Sequence, residues 1–267
     1  MKPKLQHLSE AIAQYLTPLL SVLACVGLWH LLATRHLNLG LVTFQNVPPP
    51  AEVLQAGLDL LASPKLMFHL ASSLSRVAQG FGLAALAGVS LGLLIGRFAL
   101  ARLWLMTPLE VLRPIPAVAW IPLSILMFPS SEASMVYITF IGALFPILLN
   151  TIHGTMGVDP RLIASARSLG TRRWAILGLV ILPAAAPSVL TGLSIGMGTC
   201  WFCLVTAEMI SGQYGLGYYT WESYTVQNYA NIVVGMLLIG LLGMGSSALL
   251  RWAGQRLMPW QAAGGSA

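Results

Sequence analysis

The strongest constraint on this 267-residue chain is the length of its uncharged apolar runs. Leu16 to Ala33 contains no charged residue, and neither does Val77 to Gly96. A helix needs ~20 such residues to cross a hydrocarbon layer ~30 Å thick. Backbone N–H and C=O groups in that layer find no water, so each run must satisfy them internally as an α-helix. Composition excludes the soluble alternative. Only 8% of residues are charged, against roughly 25% in soluble domains, and mean hydropathy is +0.78. The expected fold class is an all-α integral membrane protein.

The apolar pattern predicts six transmembrane helices, at about 16–34, 74–96, 103–128, 133–153, 187–207 and 231–250. Residues 1–15 form an N-terminal segment, 16–250 the transmembrane domain with a loop at about 154–186, and 251–267 a tail. Basic residues accumulate on the cytoplasmic side of membrane proteins. If the spans alternate, Lys2, Lys4, Arg97, Arg102, Arg161, Arg167, Arg172, Arg173, Arg251 and Arg256 share one side, which is ten of the fourteen Lys and Arg. The other side holds Arg35 and Lys65, with Arg76 at a span entrance, against Glu52, Asp59, Glu132, Glu208 and Glu222. Both termini are therefore expected in the cytoplasm, and the protein to be a multi-pass membrane protein with lipid around it. The first apolar run is followed by Thr34-Arg35-His36 rather than a small-residue cleavage site, so it reads as a retained span.

The net charge of +6 does not indicate nucleic acid, because the arginines are scattered singly with no basic face. Cys25, Cys200 and Cys203 lie in apolar segments, which implies neither a disulfide framework nor a metal site. The Cys200-Trp-Phe-Cys203 spacing sits inside a lipid-length helix and reads as packing. His7, His30, His36, His69 and His153 are dispersed, and no Ser-His-Asp or paired-carboxylate set shares one depth, so a catalytic role is not expected.

Several local features stand out. Val47-Pro48-Pro49-Pro50 gives a stiff entry to a short amphipathic helix carrying Val53, Leu54, Leu58 and Leu61, placed along the outer interface. Gly88, Gly92 and Gly96, and again Gly192 and Gly196, recur at fourfold spacing. In lipid, helices associate through close backbone approach at small residues, either within this chain or at a dimer seam. The third span carries Pro108, Pro114 and Pro116 around Glu110 and Arg113. Prolines bend a helix, and ionisable residues at membrane depth mark function by default. Glu110 and Arg113, three residues apart, are read either as a structural ion pair or as part of a translocation path. The tyrosine- and tryptophan-rich stretch from Gly212 to Asn231 suits a membrane–water boundary, or a re-entrant, gate-like loop.

The most informative stretch joins the fourth and fifth spans. Asp159-Pro160 signals a helix start and Gly170 a helix stop. Between them Leu162, Ala166 and Leu169 share a face, flanked by Arg161, Arg167, Arg172 and Arg173. Such a short helix is either an ordinary surface helix or an insert for a groove on a soluble partner. The stretch resembles the signature loop of binding-protein-dependent ABC importer permeases: Glu-Ala-Ala, three residues, Gly, nine residues, Ile, one residue, Leu-Pro. Here Ala164-Ser165-Ala166 fills the triplet, Gly170 the glycine, Val180 the Ile position and Leu182-Pro183 the end. The family glutamate is replaced by Ala164 and its first alanine by Ser165. Val47 to Val53, Leu112-Arg113-Pro114-Ile115-Pro116 through Trp120-Ile121-Pro122, Ala166 to Gly170, and Ala207-Glu208-Met209-Ile210 with Gly215-Leu216-Gly217-Tyr218 are similar to the nitrate, sulfonate, taurine and bicarbonate group of that family.

The resemblance implies a type I ABC importer permease fold and a non-catalytic subunit in a bacterial inner (plasma) membrane. It also implies a homodimer working with two ABC ATPase subunits and a periplasmic substrate-binding protein, importing a small oxyanion. No Gly-x-x-x-x-Gly-Lys-[Ser/Thr] sequence occurs, so ATP and Mg²⁺ are expected on the partner ATPase, with no cofactor in this chain. Residues expected at the ATPase-coupling helix are Pro160, Leu162, Ile163, Ala164, Ser165, Ala166, Leu169, Gly170, Arg172 and Arg173. Candidates for the path are Glu110, Arg113, Trp120, Thr199, Trp201, Thr206 and Glu208, each also explicable by packing; for Glu208 a structural or gating role is favoured, since a carboxylate repels anions. A secondary transporter or channel working without an ATPase is the alternative, but it should show inverted repeats, and none is evident between the two halves.

Overall fold

A computed structural model describes residues 2–38 and 40–262, with side chains for 16–38 and 40–260. The described chain is helical, apart from one isolated bridge between Asn38 and Thr43. Five helices are long and apolar enough to span a membrane, or six if one sharply bent pair counts as a single span. The chain divides into two compact units, Met1–Leu66 with Glu222–Gly235 and Met67–Trp221 with Met236–Ala267.

In the first unit, α1 (Lys2–Thr34) precedes α2 (Pro50–Ala62). Trp29 Nε1 donates to Pro48 O at 3.1 Å, which ties the proline entry to α1. Pro50 opens α2 without wasting a donor, since the first helical N–H has no partner anyway. The expected helix forms, but of its predicted apolar residues only Val53 is buried, beside Leu60, while Leu54, Leu58 and Leu61 are exposed.

In the second unit, the core forms where α3 (Lys65–Arg97), α6 (Ser131–Met156) and α9 (Leu182–Ser211) approach closely. The seams are built from small residues. A Cβ on Gly88 would lie 2.9 Å from Ile147, one on Gly92 2.5 Å from Thr151, and one on Gly96 2.5 Å from Thr155. Thr151 and Thr155 donate their hydroxyls to Ile147 O and Thr151 O in their own helix, at 2.7 Å each. That leaves their non-polar atoms against the glycines and no polar group unsatisfied. Gly192 and Gly196 seat against Pro146, Ile147, Asn150 and Ala143 of α6 in the same way. Both glycine stripes thus serve packing within the chain.

The predicted third span is not a continuous helix. α4 (Ala99–Leu112) ends at Arg113, a 3₁₀ turn covers Ala117–Trp120, and α5 (Ile121–Met127) continues at 86°. Pro114 and Pro116 remove two donors within three residues, so the helical ladder cannot cross that point, and Pro122 in the first turn of α5 restarts it. The ion pair expected between Glu110 and Arg113 is absent. Both side chains are exposed, where pairing gains little over hydration, and they do not meet.

After α6 come α7 (Pro160–Ser168), α8 (Arg173–Ile176), a π-helical turn at Leu177–Ile181, and α9. The stretch read as boundary or gate contains α10 (Leu216–Thr225), and α11 (Tyr229–Leu257) follows.

Candidate functional site

Two parts of the second unit carry more polar organisation than packing requires. The first is α7. Asp159 caps it, its carboxylate accepting from Arg161 N at 2.8 Å, and Pro160 fills the first turn. At the other end Gly170 takes φ +78. Its N–H reaches Arg167 O at 2.9 Å while Thr171 N–H reaches Ala166 O at 3.1 Å, the paired bonds of a Schellman motif. Ile163 and Ala166 turn inward onto Val158, Ile176, Ile181 and Val180. Ala166 therefore belongs to the packed side, and the face predicted for Leu162, Ala166 and Leu169 is split. Leu162 is 52% and Leu169 84% exposed, with Ala164, Ser165, Arg161, Arg167, Arg172 and Arg173 also open to solvent. The nine residues after Gly170 are the length of chain that brings Val180 back beneath α7 before Leu182 and Pro183 open α9.

The second part is a buried ion network. Arg76, on α3, is 2% exposed. Its Nη1 donates to Glu208 Oε1 at 2.7 Å and to Tyr214 O at 2.6 Å. Its Nε donates to Glu132 Oε2 at 2.8 Å, and its Nη2 pairs with Glu132 Oε1. Glu208, with 0% exposure, also accepts from Ser73 Oγ at 2.8 and 3.0 Å and from Gly217 N at 2.9 Å. Ser73 Oγ accepts in turn from Leu216 N at 2.9 Å, and His69 Nδ1 lies 3.0 Å from Gly215 O. The carboxylate thus binds the backbone that starts α10. Gly215 sits at φ +131, and a Cβ there would overlap the Glu208 carboxylate, so only glycine fits. Buried charges are stable only when paired and fully hydrogen-bonded, and this set meets that condition.

The other predicted path residues are dispersed. Trp201 is core, its Nε1 donating to Ser246 Oγ of α11 at 2.9 Å. Thr199 and Thr206 are half-buried and bond back to their own helix. Trp120 is half-buried, with Nε1 buried and without a hydrogen-bond partner. Glu110 and Arg113 both lie just before the break in the third span, at the end of α4. Sequence reasoning placed Arg76 and Glu132 only as outer-side charges. The signal available was that Arg76 and Glu208 sit inside or at the ends of apolar runs.

Comparison with known proteins adds to this geometry. Residues 84–262 match the family described as "Binding-protein-dependent transport system inner membrane component". The chain is 40% identical over 203 residues to a putative ABC transporter permease protein of Methanocaldococcus jannaschii, covering 76% of each. It is 32% identical over 243 residues to a nitrate import permease protein of Leptolyngbya laminosa, covering 88% of this chain and 84% of that one. Among solved structures, a methionine ABC transporter in inward-facing conformations aligns with a TM-score of 0.56 at 19% identity, covering 74% of this chain and 98% of that chain. At that identity the likeness is one of fold.

Proposed function

The chain belongs to the binding-protein-dependent transport system inner membrane components, in the group that includes nitrate, sulfonate and bicarbonate permeases, and from that membership we propose that two copies of it form the pathway through which a small oxyanion is imported. It is an ABC importer permease and a multi-pass inner-membrane protein. Each copy docks α7 on one ATPase subunit in the cytoplasm, and both termini lie on that side. A periplasmic binding protein delivers nitrate, an alkanesulfonate, taurine or a related oxyanion to the opposite face. ATP and Mg²⁺ act on the ATPase, and ATP-driven closure of the ATPase pair moves α7 and opens the pathway outward.

The observation that carries this reading is the construction of α7. It is capped at both ends and presents two exposed leucines among arginines. Its inner side is packed through Ile163 and Ala166 onto the chain that leads into α9. A partner gripping the exposed side therefore pushes, through that packed cluster, on the chain that starts a membrane helix. Leu162→Asp with Leu169→Asp alters only exposed positions. Expected are unchanged membrane insertion and thermal stability, together with loss of ATPase co-purification and of ATP-driven uptake. Retention of both by the double variant contradicts the docking assignment.

A further inference from the structure

We propose that the outer half of the Arg76 fork is an oxyanion-binding site, occupied in this structure by Glu132 as an exchangeable internal stand-in for the transported anion. The inference rests on the permease reading above and assigns an anion-contacting residue to it.

The two carboxylates on Arg76 are unequal. Glu208 is fully buried and accepts three further hydrogen bonds, two from Ser73 Oγ and one from Gly217 N at the start of α10. It is a fixed ligand, because releasing it strands a buried charge. Glu132 is 66% exposed. Among the described residues its only side-chain partners are Nε and Nη2 of Arg76. An exposed carboxylate loses little when it swings into water, since it is already largely hydrated. What it leaves behind is a guanidinium edge with two parallel N–H donors, held rigidly by the bonds of Nη1 to Glu208 and Tyr214 O.

That edge is selective in shape rather than identity. A planar fork bonds two oxygens of one central atom, and a carboxylate, nitrate, bicarbonate and sulfonate all offer such a pair. Two further features favour an incoming anion. Glu132 sits in the first turn of α6, so the same position receives the positive end of a 26-residue helix. Glu132 also lines an open cleft of about 850 Å³ walled mostly by apolar residues such as Leu83, Leu86, Val136 and Phe140, and its 66% exposure leaves the bound carboxylate within reach of a solute. With Glu208 retained, the guanidinium remains charge-balanced, so an anion that replaces Glu132 is held by two hydrogen bonds and a helix end, and not trapped. Conduction requires that balance of entry and exit.

The test uses the permease assembled with its ATPase in lipid nanodiscs. Thermal unfolding is followed against sodium nitrate, with sodium chloride at equal ionic strength as the reference. Glu132→Ala removes the internal competitor and is expected to bind nitrate at least about tenfold more tightly than the unaltered protein. Glu132→Gln keeps one acceptor without the charge and should fall between the two. Arg76→Lys added to Glu132→Ala should abolish the gain, because an ammonium has no fork. The proposal is overturned if Glu132→Ala binds nitrate no more tightly than the unaltered protein, or if chloride gives the same gain. Should the double variant not fold, the ordering of the alanine, glutamine and unaltered proteins decides alone. ATP-driven nitrate uptake by the unaltered assembly tests the permease reading separately: uptake with no gain in Glu132→Ala sinks this inference and leaves that reading standing.

Discussion

Glu208 and Glu132 share one guanidinium, and their exposures of 0% and 66% separate their energetic roles. Glu208→Ala leaves Arg76 buried with a single surface carboxylate and strips an acceptor from Ser73 and Gly217. Breaking a buried pair this way costs about 3–5 kcal/mol, read as a large drop in thermal stability in detergent. Glu132→Ala should cost less, about 1–2 kcal/mol, because it takes the acceptor from two Arg76 donors while the lost carboxylate is itself largely hydrated. Equal losses from the two substitutions contradict the assignment of Glu208 as the fixed ligand. Little of this was legible in the sequence. The Arg76–Glu208 bond joins residues 132 apart, and local patterning places each only as a charge near a span end. Gly215 and Gly217 were quoted as part of a resemblance, but the reason for them, room for the Glu208 carboxylate, exists only once α3 and α9 are packed.

Among the elements, α7 was the most readable and the third span the least. Caps are local chemistry, so Asp159, Pro160 and Gly170 announced both ends of α7 correctly. What local reasoning missed was its orientation, because Ala166 faces a cluster built from Ile176 and Ile181. Gly170→Ala should cost roughly 1 kcal/mol for a left-handed alanine. Gly170→Pro should do worse, since proline fixes φ near −65° where the chain needs +78. Loss of ATPase binding in proportion to these costs, measured by co-purification, is the expected result. In the third span the prolines signalled a bend, but not that the donors missing at Pro114 and Pro116 would end α4, nor that Glu110 and Arg113 would stand exposed and apart. The glycine seams give a sharper prediction. Gly82 and Gly92 share α3, but nothing lies within 4 Å of a Cβ on Gly82, whereas one on Gly92 meets Thr151 at 2.5 Å. Gly82→Ala should be neutral or stabilise by up to ~1 kcal/mol, and Gly92→Ala should destabilise by about 1–3 kcal/mol. Thermal melts of the two variants decide it, and equal effects contradict the seam.

For the molecule as a whole, the membrane class and approximate span number followed from uncharged runs alone, because the hydrocarbon layer sets the length of anything that crosses it. The motor was never in the sequence, since the chain carries no phosphate-binding loop. The account therefore stands on a division of labour in which a gate in lipid is worked from outside by a separate ATPase through α7. Proteoliposomes containing this chain, its ATPase and the binding protein, energised with Mg²⁺-ATP, measure that directly. The account predicts that nitrate accumulates in the vesicles only when all components and hydrolysable nucleotide are present, and that Leu162→Asp with Leu169→Asp abolishes the accumulation. Accumulation against a gradient by this chain alone, with ATPase and nucleotide left out, contradicts it.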